Sequence, residues 1–337
     1  MSGPPDAESQ PPPGKRQRTE QESRHLIRSN IWKPYGDIVL LAESTLFKVN
    51  RTILVEHSSV FEGLFSIPQP QSAEAIDGCP VVELSDAAQD VELLLSALYN
   101  PFFQKPQQPY ELVAAMLRLG KKYEIDQFKA DAIARIRHEF STKDECLDPS
   151  RKVEPKIEPR AGLEVDLLNL VSETGLYTCI PGLVLRCLIK WSLSELFRGV
   201  PRPTIGSPAV IDDPTKVKLA YTLEKLRDTE TRFSVWLHRA EVRCQTACVA
   251  QTQMWGKTTY NMGYEMRANG SHSFQLRVWK HGDLVGGGDM AVVGTMDLCR
   301  QCSDAVKGGT DSLRWKMWDK LPSYLGLAEW VDLKDDV

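Results

Sequence analysis

The sequence predicts an α+β domain, built from a short mixed sheet and clustered helices, followed by a mainly α-helical C-terminal region. Two observations support this fold class. Short apolar runs typical of strands are concentrated between residues 38 and 84. Apolar residues at helical spacing dominate from residue 91 onward. A chain of 337 residues is long enough for two or three domains with apolar cores.

The first segment, residues 1–28, is predicted to be a disordered tail because it is Pro-rich and polar and lacks Phe, Trp and Tyr. Its basic cluster, Lys15-Arg16-Gln17-Arg18, is either a nuclear import signal or an ordinary solvated cluster, and the second interpretation is preferred. The tail has no apolar core of a secretory signal, and no run of 18 apolar residues occurs. Eight cysteines in such a chain are expected to be reduced thiols. We therefore expect a cytoplasmic and/or nuclear protein.

The sheet is predicted to begin after Asp37. An apolar run at 38–42, a polar turn and a second run at 46–49 predict a hairpin. After Asn50-Arg51 the apolar spacing becomes helical and predicts two short helices that end at Phe65, with Ser58 or Ser59 as the N-cap of the second.

A Pro/Gln-rich loop precedes a predicted strand at 80–84, and Ser85-Asp86 are the predicted N-cap of the amphipathic helix that follows. Two more helices are predicted near 110–122 and 126–140. Residues 141–160 contain three prolines and many charges, which predicts a linker.

The region 161–333 is predicted to be helical, with a glycine-rich insertion near 251–296. Two helical segments within 163–191 are separated by Gly175 and Pro181. A long helix is predicted from Val217 to about Cys248. A last helix near 311–321 is expected to stop at Leu321-Pro322, and three tryptophans are interpreted as packing anchors rather than a partner groove: Trp315, Trp318 and Trp330.

The order of these elements resembles a BTB/POZ domain over residues 34–140. The resemblance rests on D-I-V-L (37–40), L-F-K-V-N-R-T-I-L (46–54), H-S-S-V-F (57–61), L-F (64–65), L-S-A-L-Y (95–99) and G-K-K-Y-E-I (120–125). Four downstream segments are similar to the expanded BTB family of mushroom-forming fungi: D-L-L-N-L-V-S-E-T-G-L (166–176), I-P-G-L-V-L-R-C (180–187), C-R-Q-C (299–302) and W-D-K-L-P-S-Y-L-G-L-A-E-W (318–330).

The resemblance implies a non-enzymatic protein–protein interaction module. The specific role that we expect from this resemblance is that of a substrate adaptor for a cullin-RING ubiquitin ligase. The alternative is a nuclear transcriptional cofactor that acts through BTB-mediated association. The implied partners are proteins, such as a cullin or another BTB chain. A net charge of −4 gives no basic field for nucleic acid, and neither a membrane nor a cofactor is expected. Many BTB domains dimerise through a helix ahead of the first strand, and residues 24–35 are short for such a helix, so the oligomeric state stays open.

The predicted partner-binding residues are Asp37, Asn50 and Arg51. In BTB domains the residues that correspond to Asp37 and Arg51 lie near each other beneath a pocket at the dimer surface. The alternative is a partly buried ion pair that orients the hairpin on the helices. Asn50 stands where the family usually has His, and Asn can also cap a helix.

No catalytic residue is predicted. His57 beside Ser58 and Ser59 lacks a third group to orient the base, so the serines are interpreted as caps. Two interpretations are open for Cys244, Cys248, Cys299 and Cys302. They form either a zinc site or buried or redox-inert thiols, and the second interpretation is preferred. The glycines between 282 and 294 match no phosphate-binding pattern and predict a flexible hairpin or insertion.

Overall fold

The computed structural model describes residues 25–67, 75–100, 105–140, 154–202, 206–239 and 300–337. The basic cluster at 15–18, the first part of the predicted linker and the glycine-rich insertion lie outside these ranges. So do three of the four cysteines weighed as zinc ligands. No helix among the described residues is both long and apolar enough to cross a membrane.

A five-stranded sheet forms the centre of the first domain, in the order β1-β3-β2-β5-β4. Its strands are β1 (Ile27–Trp32), β2 (Ile38–Ala42), β3 (Thr45–Val49), β4 (Ala75–Ile76) and β5 (Cys79–Leu84). The predicted hairpin is confirmed, because β2 and β3 pair in antiparallel register from Ile38–Val49 to Ala42–Thr45. The pairs β2–β5 and β1–β3 are parallel, so the sheet is mixed as predicted.

The strand β1 was not predicted. It occupies the end of the segment assigned to a disordered tail and part of the segment weighed as a dimer helix. None of its residues is fully buried, its exposed and partly buried positions do not alternate regularly, and its pairing with β3 is interrupted between Arg28 and Trp32. This irregular edge strand has too weak an apolar pattern to be recognised from periodicity alone.

Five helices complete the first domain: α1 (Arg51–His57), α2 (Ser59–Ser66), α3 (Ala88–Tyr99), α4 (Tyr110–Lys122) and α5 (Asp126–Glu139). Their existence and approximate bounds agree with the apolar spacing. The predicted N-cap of α3 is wrong, because the cap position is Ala87. The carboxylate of Glu43 accepts the Ala88 N–H instead, at 3.2 Å, while Asp86 bonds Lys122 and the Tyr123 hydroxyl.

The second half of the predicted linker is fixed to the first domain. Ile157 is fully buried and forms a parallel bridge with Gln108. The buried guanidinium of Arg135 on α5 donates to the carbonyl oxygens of Lys105, Pro106 and Lys156. Glu139 accepts the backbone N–H groups of Lys156 and Ile157. Because these contacts satisfy backbone groups of two segments, residues 156–157 do not act as a free tether.

The helical region follows with α6 (Leu163–Thr174), a 3-10 turn (Tyr177–Cys179), α7 (Ile180–Lys190), α8 (Leu193–Arg198), α9 (Asp213–Arg239) and α10 (Arg300–Tyr324). The break after α6 occurs at Gly175, which has a φ of +83°. Pro181 does not break the chain and lies in the first turn of α7, where a missing N–H costs nothing. The last helix is longer than predicted and continues through Pro322.

The two regions share one apolar core. Residues of β2, α3, α4, α6, α7, α9 and α10 belong to the same buried cluster. Polar contacts cross the boundary as well, since Arg118 on α4 donates to both carboxylate oxygens of Glu173 on α6 at 3.0 Å. The first domain is therefore held in a fixed position against the helical region.

Candidate functional site

The candidate site lies where β2 and α1 begin next to each other. Gly36 makes this approach possible, because a Cβ there would lie 2.8 Å from the Lys48 side chain and 2.9 Å from the Val49 carbonyl oxygen. The next residue, Asp37, is tied to β3 by its N–H, which donates to the Val49 oxygen at 3.0 Å. The exposed carboxylate of Asp37 consequently lies at the N-terminus of α1.

The Asp37 carboxylate contacts the Arg51 backbone rather than its guanidinium. The Arg51 N–H donates to Asp37 Oδ1 at 2.7 Å. A carboxylate at this position satisfies a free N–H of the first helical turn and interacts favourably with the helix dipole. The alternative of an Asp37–Arg51 side-chain ion pair is therefore wrong, although the two residues are in contact.

The guanidinium of Arg51 lies over the ring of Phe65 on α2, 5.3 Å from its centroid. Its Nε is buried and has no hydrogen-bond partner, and no described carboxylate forms an ion pair with it. The terminal N–H groups of Arg51 form no hydrogen bond or ion pair among the described residues, so they can bind an acceptor from outside the chain while the cation stays on the aromatic ring.

Asn50 occupies the N-cap position of α1, but its side chain does not cap the helix. Its Nδ2 donates to the Tyr35 carbonyl oxygen at 2.8 Å. The Tyr99 hydroxyl accepts the Asn50 N–H at 2.8 Å and donates to Asn50 Oδ1 at 3.1 Å. The side chain of Asn50 thus joins the β1–β2 turn to the end of α3.

Tyr99 was not predicted as part of this site. Burial and, to a smaller extent, the Asp37 carboxylate raise the pKa of Tyr99, against the lowering effect of the hydrogen bond from the Asn50 backbone. The phenol therefore stays neutral and keeps its donor. Lys33 adds a positive charge 4.1 Å from the Tyr99 ring centroid. The sequence offered two signals for Tyr99: its position directly after an apolar helical stripe and its place at the end of L-S-A-L-Y (95–99).

Apolar surface adjoins these polar groups. The Tyr35 side chain, next to the carbonyl bound by Asn50, is 92% exposed, and Ile67, two residues after Phe65, is 60% exposed. A combination of exposed aromatic and aliphatic groups with a carboxylate and a guanidinium is typical of a protein-binding surface. We call the surface formed by Tyr35, Asp37, Asn50, Arg51 and Phe65 the α1 surface.

The serines beside His57 serve the helices. Ser58 Oγ accepts the Phe61 N–H at 3.1 Å, which confirms Ser58 as the N-cap of α2, and it donates to the Tyr123 carbonyl oxygen. Ser59 donates to the carboxylate of Glu124. Both hydroxyl groups are therefore engaged with the α4–α5 turn rather than with the exposed His57.

Among the described residues, no cluster of His, Cys, Asp or Glu has the arrangement of a metal site. The cysteines Cys244, Cys248 and Cys299 lie outside the described ranges, and the side chain of Cys302 on α10 is not described. Cys79, Cys179 and Cys187 are free and buried. Burial raises the pKa of the Cys187 thiol well above its usual range, so this thiol is unreactive at neutral pH.

The interpretation of the three tryptophans as packing anchors agrees with the structure for Trp318 and Trp330. Trp318 is buried, Trp330 stacks on it with ring centroids 4.7 Å apart, and the Trp330 indole N–H donates to the Trp318 carbonyl oxygen at 2.9 Å. Trp315, in contrast, is half exposed.

Comparison with known families identifies the first domain. Residues 30–138 match the BTB/POZ domain. This match and the sheet with its clustered helices confirm the predicted α+β fold class. A search of curated proteins found no match for the chain. BTB domains mediate protein–protein association, so the first domain is a protein-interaction module.

Proposed function

We propose that the chain is a non-enzymatic adaptor that binds a partner protein at the α1 surface of its BTB domain. The observation that carries this proposal is the state of Arg51, which is only partly buried and whose guanidinium lies on the Phe65 ring without a carboxylate partner among the described residues. A partner carboxylate or carbonyl can accept hydrogen bonds from the terminal N–H groups of Arg51 while apolar side chains cover Tyr35 and Phe65.

The specific role proposed is that of a substrate adaptor for a cullin-RING ubiquitin ligase. An adaptor of this kind needs one surface for the ligase and another for the client, at a fixed separation. The shared core and the contacts between Arg118 and Glu173 support such a geometry, because they fix the helical region against the BTB domain. The helical region is then the client-binding part.

The proposal includes a cytoplasmic and/or nuclear location and a relationship to the expanded fungal BTB family. The support for both is confined to the sequence. Nuclear entry rests on the import-signal interpretation of the tail cluster at Lys15 to Arg18, and the family relationship rests on the four downstream segments.

The test is quantitative affinity purification of the full-length chain, followed by mass spectrometry. A BTB-only fragment is unsuitable, because removing the helical region exposes apolar residues of α4 that are buried in the shared core. We expect a cullin to be recovered with the wild-type chain and to bind again when both purified proteins are mixed. The absence of that direct binding would overturn the adaptor role.

The α1 surface is tested in the same experiment with Arg51→Met and with Arg232→Met as the matched control. Arg232 lies on α9, is 80% exposed and pairs with Asp228 in its own helix. We expect at least one partner to be recovered about tenfold less with Arg51→Met and unchanged with Arg232→Met. Equal recovery with both variants would show that partners bind elsewhere.

A further inference from the structure

Residues 329–337, which we call the strap, leave α10 and return to the BTB domain. The strap is held at its beginning by Trp330, through the stacking and the hydrogen bond with Trp318. The residues that follow make little contact, and the Val331 side chain is 92% exposed. The strap is then fixed a second time at Asp335 and Asp336, so it has two anchors with an exposed stretch between them.

Both oxygens of the Asp335 carboxylate accept hydrogen bonds. Its Oδ1 accepts the Thr178 N–H and its Oδ2 accepts the Thr178 hydroxyl, both at 2.7 Å. Arg137 Nη2 lies 2.5 Å from the same Oδ2. The side chain of Asp335 is only 11% exposed. Charge-assisted bonds from a cation, an amide and a hydroxyl make this a carboxylate-binding position.

Asp336 is recognised through its backbone. Its N–H donates to the Gly175 carbonyl oxygen at 2.8 Å, and its carbonyl oxygen accepts from Lys121 Nζ. A Cβ on Gly175 would lie 2.6 Å from the Asp336 oxygen, so only glycine permits this approach. Lys121 is held in place by a second bond to the Thr174 carbonyl oxygen at 2.9 Å.

We propose that Lys121, Arg137, Gly175 and Thr178 form a binding site for an extended acidic peptide segment, and that the strap occupies this site in cis. We call these four residues the strap site. Lys121 and Arg137 belong to the BTB domain, whereas Gly175 and Thr178 belong to the helical region. An acidic segment of a partner, with an aspartate in the place of Asp335, fits the same donors and competes with the strap.

The exposed stretch around Val331 explains how the site becomes available. The strap can leave the strap site without disturbing the Trp318–Trp330 stack, because no buried side chain connects the two anchors except the half-buried Leu333. A partner therefore displaces the contacts of Asp335 and Asp336 and the packing of Val337 against the core. Access to the site is controlled by a segment of the chain itself.

The test uses a shortened chain that ends at residue 333 and a fluorescent peptide with the sequence of residues 329–337. We expect saturable binding in fluorescence anisotropy that weakens as salt is added. The full-length chain should bind the peptide at least about tenfold more weakly, because its strap competes. A peptide with Asp335→Asn should also bind about tenfold more weakly, because it lacks the charge that pairs with Arg137.

Two changes in the shortened chain locate the binding. Gly175→Ala should abolish it by steric conflict, and Arg137→Gln should weaken it about tenfold, whereas Arg198→Gln, an exposed arginine on α8, should leave it unchanged. A folded shortened chain that binds no peptide would overturn the proposal, and so would equal binding by the full-length chain. If the shortened chain does not fold, the full-length Asp335→Ala variant replaces it in the experiment. This variant should bind the peptide more tightly than the wild-type chain, and a folded variant that binds no peptide would overturn the proposal.

Discussion

The α1 surface and the surroundings of Asp166 both bring aspartate and arginine together, and they differ in how much of the bonding capacity of these residues is used. At the α1 surface, Asp37 is exposed and bonds one backbone N–H, while the Arg51 side chain has no carboxylate partner among the described residues. On α6, the Asp166 side chain is 3% exposed and contacts two guanidinium groups, those of Arg160 and Arg202. Residue type is therefore a poor guide to role, and burial together with unused bonding capacity is a better one.

The Asp166 cluster joins four segments of the chain: the linker, α4, α6 and the segment after α8. Arg160 comes from the linker, Arg202 from the segment after α8, and Arg160 also approaches Glu111 on α4 at 3.6 Å. The Tyr110 hydroxyl on α4 donates to the Asp166 carbonyl oxygen at 3.2 Å, and Arg160 lies over the Tyr110 ring. A buried carboxylate with these neighbours cannot be removed without leaving charges uncompensated.

The largest expected effect comes from Asp166→Ala. We expect the free energy of unfolding to fall by about 3–5 kcal/mol, because Arg160 and Arg202 lose their buried counterion. The measurement is urea unfolding of the full-length chain, followed by circular dichroism. Asp319→Ala is the control, since Asp319 forms an exposed ion pair with Lys320. Its replacement should lower the free energy of unfolding by less than about 1 kcal/mol. An equal loss of unfolding free energy in Asp166→Ala and Asp319→Ala would mean that the buried Asp166 cluster stabilises the fold no more than an exposed ion pair does.

A smaller effect is expected from the Tyr110 hydroxyl at alkaline pH. Burial and, next, the Asp166 charge raise the pKa of Tyr110 to about 12. Because this pKa is above the usual value of about 10, the phenol's contribution is complete below pH 10 and is lost as the pH rises toward 12. The stability difference between the wild type and Tyr110→Phe should therefore shrink by about 1.3 kcal/mol from pH 9 to pH 11. A constant difference in urea unfolding at the two pH values would contradict this.

The sequence predicted those parts of the molecule that depend on local periodicity. The β2–β3 hairpin and helices α4 and α5 have continuous apolar patterns, and the Ser58 cap follows from residue type and position. The ion pair was wrong because sequence cannot decide whether Asp37 meets the guanidinium or the N–H of Arg51. Strand β1 has only a partly buried, interrupted pattern.

Contacts between distant segments could not be predicted at all. The Thr178–Asp335 bonds join residues 157 positions apart, and the Lys121–Asp336 bond joins residues 215 positions apart. In the sequence, Asp335 and Asp336 look like solvated charges near an end of the chain, and Asp166 looks like an exposed position of an amphipathic helix. Asp166 is buried by contacts with α4, Arg160 and Arg202, and contacts of that kind are not encoded in local spacing.

The smallest effect on stability is expected from Arg51→Met, and this variant completes the comparison. The change removes a cation from the Phe65 ring, which is worth about 0.5–1 kcal/mol, and it also removes the cost of a buried unpaired Nε. The Asp37 bond to the backbone is retained. We expect the urea midpoint to stay within about 1 kcal/mol of the wild type while partner recovery falls. A loss close to that of Asp166→Ala would mean that Arg51 supports the fold, and the α1 surface would then no longer be distinguished from the buried cluster.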